Sequence, residues 1–175
     1  MEFSKVVERR RSIRKFSDKK VERELLQKVL DAAVVAPSSR NSHSTSFLVV
    51  DGAERMEKIS HVRDYGAAFV KDAPAAIIVM GDASKSDLAE VNASIAATVI
   101  QYAATAYGLA SCWVHVAKRP MVKAEPEGKS AEQHLRDFLP IPEECEVLCV
   151  IAIGHSDFEP APLPELDKAS YVKYL

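Results

Sequence analysis

Arg9-Arg10-Arg11-Ser12-Ile13-Arg14-Lys15-Phe16 gathers five cations around one hydroxyl, near the start of a chain whose formal net charge is -2. A basic run near a terminus is most often a solvated face. Cations at the C-terminal end of a short helix, expected here over Phe3 to Arg10, also suit its dipole. That accounts for Arg9 or Arg10 better than for Arg14. Ser12 and Ile13 interrupt the charges, and Ile13 and Phe16 supply apolar anchors that a free basic tail lacks. Guanidinium groups pair bidentately with phosphate oxygens, and a hydroxyl or backbone N–H between them completes a cage. Like charges this close repel, so an ordered segment gains from a counter-anion. The stretch reads as a local anion cradle.

Composition keeps that site local. The 175 residues suit one domain with a core of its own, and 47% apolar with 27% charged residues is ordinary for a soluble protein. The slightly acidic balance argues against general nucleic-acid binding. No run approaches the roughly 18 apolar residues that suggest a membrane span, and the first residues lack a signal-peptide centre, so a cytoplasmic protein without a membrane partner is expected. Cys112, Cys145 and Cys149 are odd in number and lack a C-x-x-C spacing, which points to reduced, buried thiols. The five histidines show no metal-ligand spacing, and no metal is expected.

Outward from the cradle, Leu26, Val29, Leu30 and Ala33 form one face of a helix that Pro37 ends. The polar run Ser38 to Ser46 then enters the apolar strand Phe47-Leu48-Val49-Val50. On these residues alone a plain helix-to-strand connection with Asx and Ser turns is favoured over a ligand-binding loop. Further helices are expected over Glu54 to Ser60 and Tyr65 to Lys71, with a buried strand over Ala75 to Met80. The helix over Leu88 to Tyr107 is apolar nearly all round and must be covered on more than one side, by the core or by another subunit. Ser111 to Val116 reads as a strand. Ser130 and Gln133 stand at capping-box spacing for a helix through Phe138. Cys145 to Ile153 is a strong strand in which even spacing puts Cys145, Val147, Cys149 and Ile151 on one face. The Pro-rich tail, ending in aromatics, reads as an arm docked on another surface.

Arg10-Arg11-Ser12-Ile13-Arg14-Lys15-Phe16, an amphipathic helix and Ala36-Pro37-Ser38-Ser39-x-Asn41 follow in that order, with Gly108-Leu109-Ala110-Ser111-Cys112-Trp113 and Ala152-Ile153-Gly154-His155 later in the chain. In these four motifs the chain resembles the FMN-dependent nitroreductase family. The resemblance implies an α+β fold with a central, mostly antiparallel sheet flanked by helices. It further implies a single domain over 1–175, whose last part, about 155–175, is an extended arm wrapping a partner subunit in an obligate homodimer with flavin at the interface. The implied activity is two-electron transfer. NADH or NADPH reduces bound FMN, leaves, and a small-molecule acceptor such as a nitro compound or quinone then takes the electrons, so the flavin carries the chemistry and no catalytic side chain is required.

Carried onto this chain, the resemblance puts Arg10, Arg11, Ser12 and Arg14 at the FMN phosphate and ribityl chain. It puts Pro37, Ser38, Ser39 and Asn41 in a loop reaching the isoalloxazine from the other subunit. Val114, His115 and Val116 fall where backbone N–H groups approach the flavin ring, although His115 also fits a core or rim histidine. Two departures stand out. Ser42-His43-Ser44-Thr45 replaces the family's Gln-Pro-aromatic continuation, and the tail after Gly154 lacks the usual cation at the phosphate, for which His155, Lys168 or Arg40 are substitutes by charge. A non-catalytic flavin- or nucleotide-binding homologue of the same fold is therefore the alternative.

Overall fold

The computed structural model describes residues 2–175, apart from the side chain of Lys168. Two apolar runs set its centre. Ala75–Asp82 (β2) and Cys145–Gly154 (β4) are buried almost throughout, because each has a strand on both sides and helices above and below. With Thr45–Asp51 (β1) and Ala110–His115 (β3) they form a four-stranded sheet of order β1-β2-β4-β3, in which every neighbouring pair is antiparallel. The helices are Phe3–Arg9 (α1), Arg23–Val34 (α2), Ala53–Ser60 (α3), Ala89–Ala106 (α4) and Ala131–Arg136 (α5). The architecture is α+β, as expected.

Each face of the sheet buries its own core. On one side Met56, Ile59, Val70 and Leu135 meet Ile78, Val114, Val147 and Val150. On the other, Val29 and Ala33 of α2 and Ala93, Ala97 and Ile100 of α4 meet Ile77, Val79, Cys149 and Ile151. Each fully buried Ile or Val is worth roughly 1.5–3 kcal/mol, so the two layers hold the central strands from both sides. Gly154 closes this arrangement where β4 passes under the chain. A Cβ there would lie 2.5 Å from Pro74 and 3.0 Å from Phe16.

The even spacing expected along β4 is broken. Cys145 and Val147 face one core while Cys149 and Ile151 face the other. A β-bulge is the reason: Val79 pairs with Cys149 but Met80 with Val147, which leaves Leu148 over. The Leu148 carbonyl instead accepts the N–H groups of Val116 at 2.9 Å and Ala117 at 3.1 Å, beyond the end of β3. All three cysteines are buried free thiols, and burial pushes the Cys149 thiol well above its ordinary range.

Other expectations shift for similar reasons. β1 is an edge strand, so Phe47-Leu48-Val49-Val50 is not buried throughout and Val49 is 39% exposed. Tyr65 to Lys71 gives only a short 3₁₀ turn over Ala68–Asp72, since Gly66 before it has φ 67°. The capping box forms, with Gln133 N–H on Ser130 Oγ at 3.1 Å and Ser130 N–H on Gln133 Oε1 at 2.9 Å, although α5 stops at Arg136.

α4 resolves its all-round hydrophobicity by residue size. Its alanines lie on the sheet with Ile100, which lets the helix approach closely, while Val91 is 51% exposed and the flanking Leu88 and Tyr107 are 45% and 46% exposed. From Ser156 the chain has no strand or helix beyond a 3₁₀ turn at Lys168–Ser170, and Phe158, Leu163, Leu166, Tyr171 and Tyr174 are exposed. Among the described residues no helix is long and apolar enough to cross a membrane.

Candidate functional site

The cradle segment is tied to the open edge of the sheet. Ile13 is buried and donates its N–H to the Ser111 carbonyl at 3.0 Å, so that Ser12 bridges Ser111 in parallel. Further on, Ser17 N–H bonds to the His155 carbonyl at 2.9 Å, and Ser156 Oγ to the Lys15 carbonyl at 2.6 Å. These bonds and the two apolar anchors make the segment part of the fold rather than a tail.

Beyond α1 the backbone is extended and sends successive side chains to opposite sides, and this parts Arg11 from Arg10 and Arg14. Arg9 and Arg11 line a groove of about 600 Å³ together with Ile13, Ser111 and the arm residues Phe158 and Pro160. Arg11 turns back on its own chain, donating to the carbonyls of Glu8 and Arg10. Arg10, Ser12 and Arg14 lie to the other side, around Cys112. Burial raises the Cys112 thiol pKa, while the Arg14 charge, a hydrogen bond with Ser12 and the Arg10 charge oppose the rise. Arg14 also lies over the Phe69 ring at 5.8 Å. Among the described residues, Arg10, Arg11 and Arg14 have no carboxylate within ion-pair distance. The Ser111 hydroxyl is buried without a partner. The guanidinium groups of Arg10 and Arg14, without carboxylate partners among the described residues and beside the Ser12 hydroxyl, fit a phosphate monoester.

β3 supplies donors along the same edge. In an antiparallel strand each residue turns its N–H and C=O to one side, alternately. The Ser111 carbonyl faces the cradle, so Trp113 and His115 also turn their backbone groups to the open edge. Val114 is turned to β4 and its side chain is fully buried. Val116 N–H is taken by Leu148. His115 is therefore the one of the three expected positions whose N–H looks outward, with Trp113 two residues before it. Their rings stack at 6.2 Å with an interplanar angle of 18°. Burial and the charges of Arg119 and Arg63 push the His115 pKa down, which keeps the imidazole neutral at neutral pH.

The loop after Pro37 is built around a residue that sequence reasoning did not single out. Asn92, in the first turns of α4, is buried, and its Oδ1 accepts the Ser39 N–H at 2.8 Å. Its Nδ2 donates to Ser44 Oγ at 2.9 Å and to Ser42 Oγ at 3.2 Å. Ser38 Oγ accepts the His43 N–H at 3.1 Å, and Arg40, Asn41 and His43 all take positive φ near 50°. The available signal was a carboxamide near the start of a mostly apolar helix, which also carries Gln101. Pro37 and Ser38 border a cleft of about 240 Å³ with Phe47, Asn92 and Ala96, while Arg40 and Asn41 point into solvent.

One chain does not bring the two halves together. The loop is held at the start of α4, and the cradle lies beside Ser111, past its end. The helix between them has 18 residues, or about 27 Å at ~1.5 Å per residue. Of the substitutes for a tail cation, His155 is turned to Glu22, 3.6 Å away and too far for a hydrogen bond. Arg40 belongs to the distant loop, and the side chain of Lys168 lies outside the described residues.

The model of the nitroreductase family matches residues 7–65 and 55–155, which include the cradle, the loop and β3. The chain belongs to the nitroreductase family. A protein of Methanothermobacter thermautotrophicus, provisionally named NADH dehydrogenase/NAD(P)H nitroreductase, is 37% identical over 158 residues, or 89% of this chain and 78% of that one. The structure of an FMN-dependent nitroreductase from Clostridium difficile superposes with a TM-score of 0.88 at 38% identity, covering 97% of this chain and 96% of that one. A provisionally named nitroreductase of Desulfovibrio desulfuricans, solved in complex with FMN, shares the fold at TM-score 0.80 and 22% identity, over 100% and 98% of the two chains.

Proposed function

We propose that this nitroreductase-family protein is an FMN-dependent oxidoreductase that uses NAD(P)H to reduce nitro compounds, quinones or similar acceptors, and that it works as a homodimer. The observation that carries this reading is the set Arg10, Ser12 and Arg14, whose arginines have no carboxylate partner among the described residues, on the same open sheet edge as the outward N–H groups of Trp113 and His115. FMN, when bound, supplies two-electron transfer between a nicotinamide donor and an acceptor. Arg10 and Arg14 hold its phosphate with Ser12. Trp113 and His115 N–H stabilise negative charge on the ring from fixed positions, and Val114 locks that strand from the core side.

The separation of the two halves supports the homodimer. A second copy lying antiparallel along the outward face of α4 sets its own Pro37, Ser38, Ser39 and Asn41 beside this chain's cradle. It also covers Val91, Leu88 and Tyr107. The exposed aromatics of residues 155–175 then have a surface to cover, and the rest of the chain forms one domain around the sheet. A cytoplasmic protein acting on small molecules fits this reading.

The lack of Lys or Arg from Ser156 to Asp167, with His155 turned to Glu22, supports the second reading, a flavin-binding homologue without turnover. Purified protein discriminates the two. A flavin absorption band, FMN released on denaturation and bleaching by NADH or NADPH under anaerobic conditions are expected. Bound flavin that neither donor bleaches would establish the second reading, and protein unable to retain FMN on reconstitution would sink both.

A further inference from the structure

Arg63 and Arg119 form a second basic group, at the far end of the same edge. The loop carrying Arg63 is clasped to the segment after β3: Asp64 N–H bonds to the Met121 carbonyl at 2.8 Å, and Asp64 Oδ1 accepts the Lys123 N–H at 3.1 Å. Asp64 is thereby occupied. Among the described residues no carboxylate lies within ion-pair distance of Arg63 or Arg119, whereas Lys118 between them and β3 is taken by Glu90 at 2.7 Å. Arg63 is held instead by an aromatic ring, with its guanidinium carbon 4.6 Å from the Tyr65 centroid and Lys123 Nζ 5.8 Å from the same ring. Its Nε is buried without a partner. Stacking fixes the plane of the fork and leaves its amino ends unpaired, a poor arrangement for stability and a good one for receiving an anion.

This group is separate from the cradle. Ser111 and His115 are four residues apart on β3, about 13 Å at ~3.3 Å per residue, so one phosphate group does not reach both. Arg119 and Arg63 are the two cations whose charges His115 feels most. The backbone puts both at that end of the edge: Arg119 N–H bonds to the Val116 carbonyl at 3.1 Å, just past His115, and Asp64, next to Arg63, is bonded to Met121, two residues beyond Arg119. A substrate that approaches the ring there and carries its own phosphates meets the Arg63 guanidinium, held on Tyr65, and the exposed Arg119 beside it.

We propose that Arg63 and Arg119 bind a phosphate of the nicotinamide dinucleotide donor. The inference rests on the function proposed above, since it assumes that a dinucleotide is the donor. It adds residues outside the four motifs and a place for the donor's charge.

The flavin-loaded protein and its Arg63→Gln and Arg119→Gln variants are titrated calorimetrically with NAD⁺ and NADP⁺, which bind without turnover. Loss of a charge-assisted hydrogen bond, about 1.5–3 kcal/mol, corresponds to weakening of about tenfold or more in each variant. Flavin content and urea midpoint should stay as in wild type, separating this from misfolding. Weakening of NADP⁺ alone places the 2′-phosphate at the pair, and weakening of both places the pyrophosphate there. Unchanged affinities in both variants, or no binding to wild type, overturn the proposal. Weaker binding of 4-nitrobenzoate alone, with both dinucleotides unaffected, also overturns it and makes the pair an acceptor site. Wild type that binds either dinucleotide through these arginines but is not reduced by NADH or NADPH would refute the proposed activity and leave this site standing.

Discussion

The carboxamide oxygen of Asn92 accepts the backbone N–H of Ser39 at 2.8 Å, joining positions 53 residues apart. Through this bond and those to Ser42 and Ser44, a helix otherwise committed to packing sets the shape of a polar loop. Removing the carboxamide leaves Ser39 N–H without its partner and the buried Ser44 hydroxyl with only a long bond from Ser42 Oγ at 3.4 Å, and an unsatisfied buried group costs about 1–3 kcal/mol. Asn92→Leu should destabilise the fold by roughly 2–4 kcal/mol in urea titration and open residues 38–44 to limited proteolysis. An unchanged midpoint would mean that water replaces the carboxamide.

Arg10→Ala and Arg14→Ala should each weaken FMN binding by about tenfold or more, the equivalent of one charge-assisted hydrogen bond. Among the described residues their side chains have no carboxylate partner, so the urea midpoint of the flavin-free protein should move by no more than about 0.5 kcal/mol. Arg11→Ala should cost less flavin affinity, because that guanidinium already donates to the carbonyls of Glu8 and Arg10. Flavin titration of the three variants separates the two sides of the segment.

Gly154 allows β4 to pass beneath Phe16 and Pro74. The methyl group of Gly154→Ala would lie 2.5 Å from Pro74 Cδ and 3.0 Å from Phe16 Cδ1. Neither ring retreats without disturbing its neighbours, so destabilisation of about 1–3 kcal/mol is expected from overpacking. Because Phe16 anchors the cradle, flavin affinity should fall in the same variant, as a calorimetric titration would register.

His115 gives the stability a pH dependence with a definite sign. Its folded pKa lies below the ordinary value of 6.5, first through burial and then through Arg119 and Arg63. The unfolded chain therefore takes up a proton at a higher pH than the native one. This group's contribution is fully present above 6.5 and is lost as pH falls from there toward the folded pKa. His115→Gln should lose less stability than wild type between neutral pH and the lower end of that window. Parallel curves of urea midpoint against pH would argue against it.

Val99, beside Tyr102 and Tyr107 on the outward side of α4, borders an apolar hollow with Phe3. Val99→Glu puts a charge where a second copy is expected to pack. Sedimentation should show a monomer with unchanged far-ultraviolet circular dichroism, together with loss of bound flavin. A dimer that retains flavin would place the subunit contact elsewhere.

Much of this was legible along the chain. The capping box at Ser130 and Gln133, the β2 run and the amphipathic α2 are local patterns, and each appears where its pattern lies. The face assignment of Cys145 and Cys149 was not, because a bulge at Leu148 depends on hydrogen bonds to Val116 and Ala117 that no local pattern records. Asn92 was missed for the same reason: its partners lie about 50 residues away.

The amino-acid sequence by itself determined the elements, their amphipathic faces and the position of the basic stretch, since propensity, periodicity and charge are properties of neighbouring residues. Only the tertiary structure decided how that stretch divides. Extended backbone pinned to Ser111 turns Arg10, Ser12 and Arg14 to one side and Arg11 to the other. The pairing of β3 with β4 alone selects Trp113 and His115 as outward donors, because a strand has no open edge until its neighbour is placed.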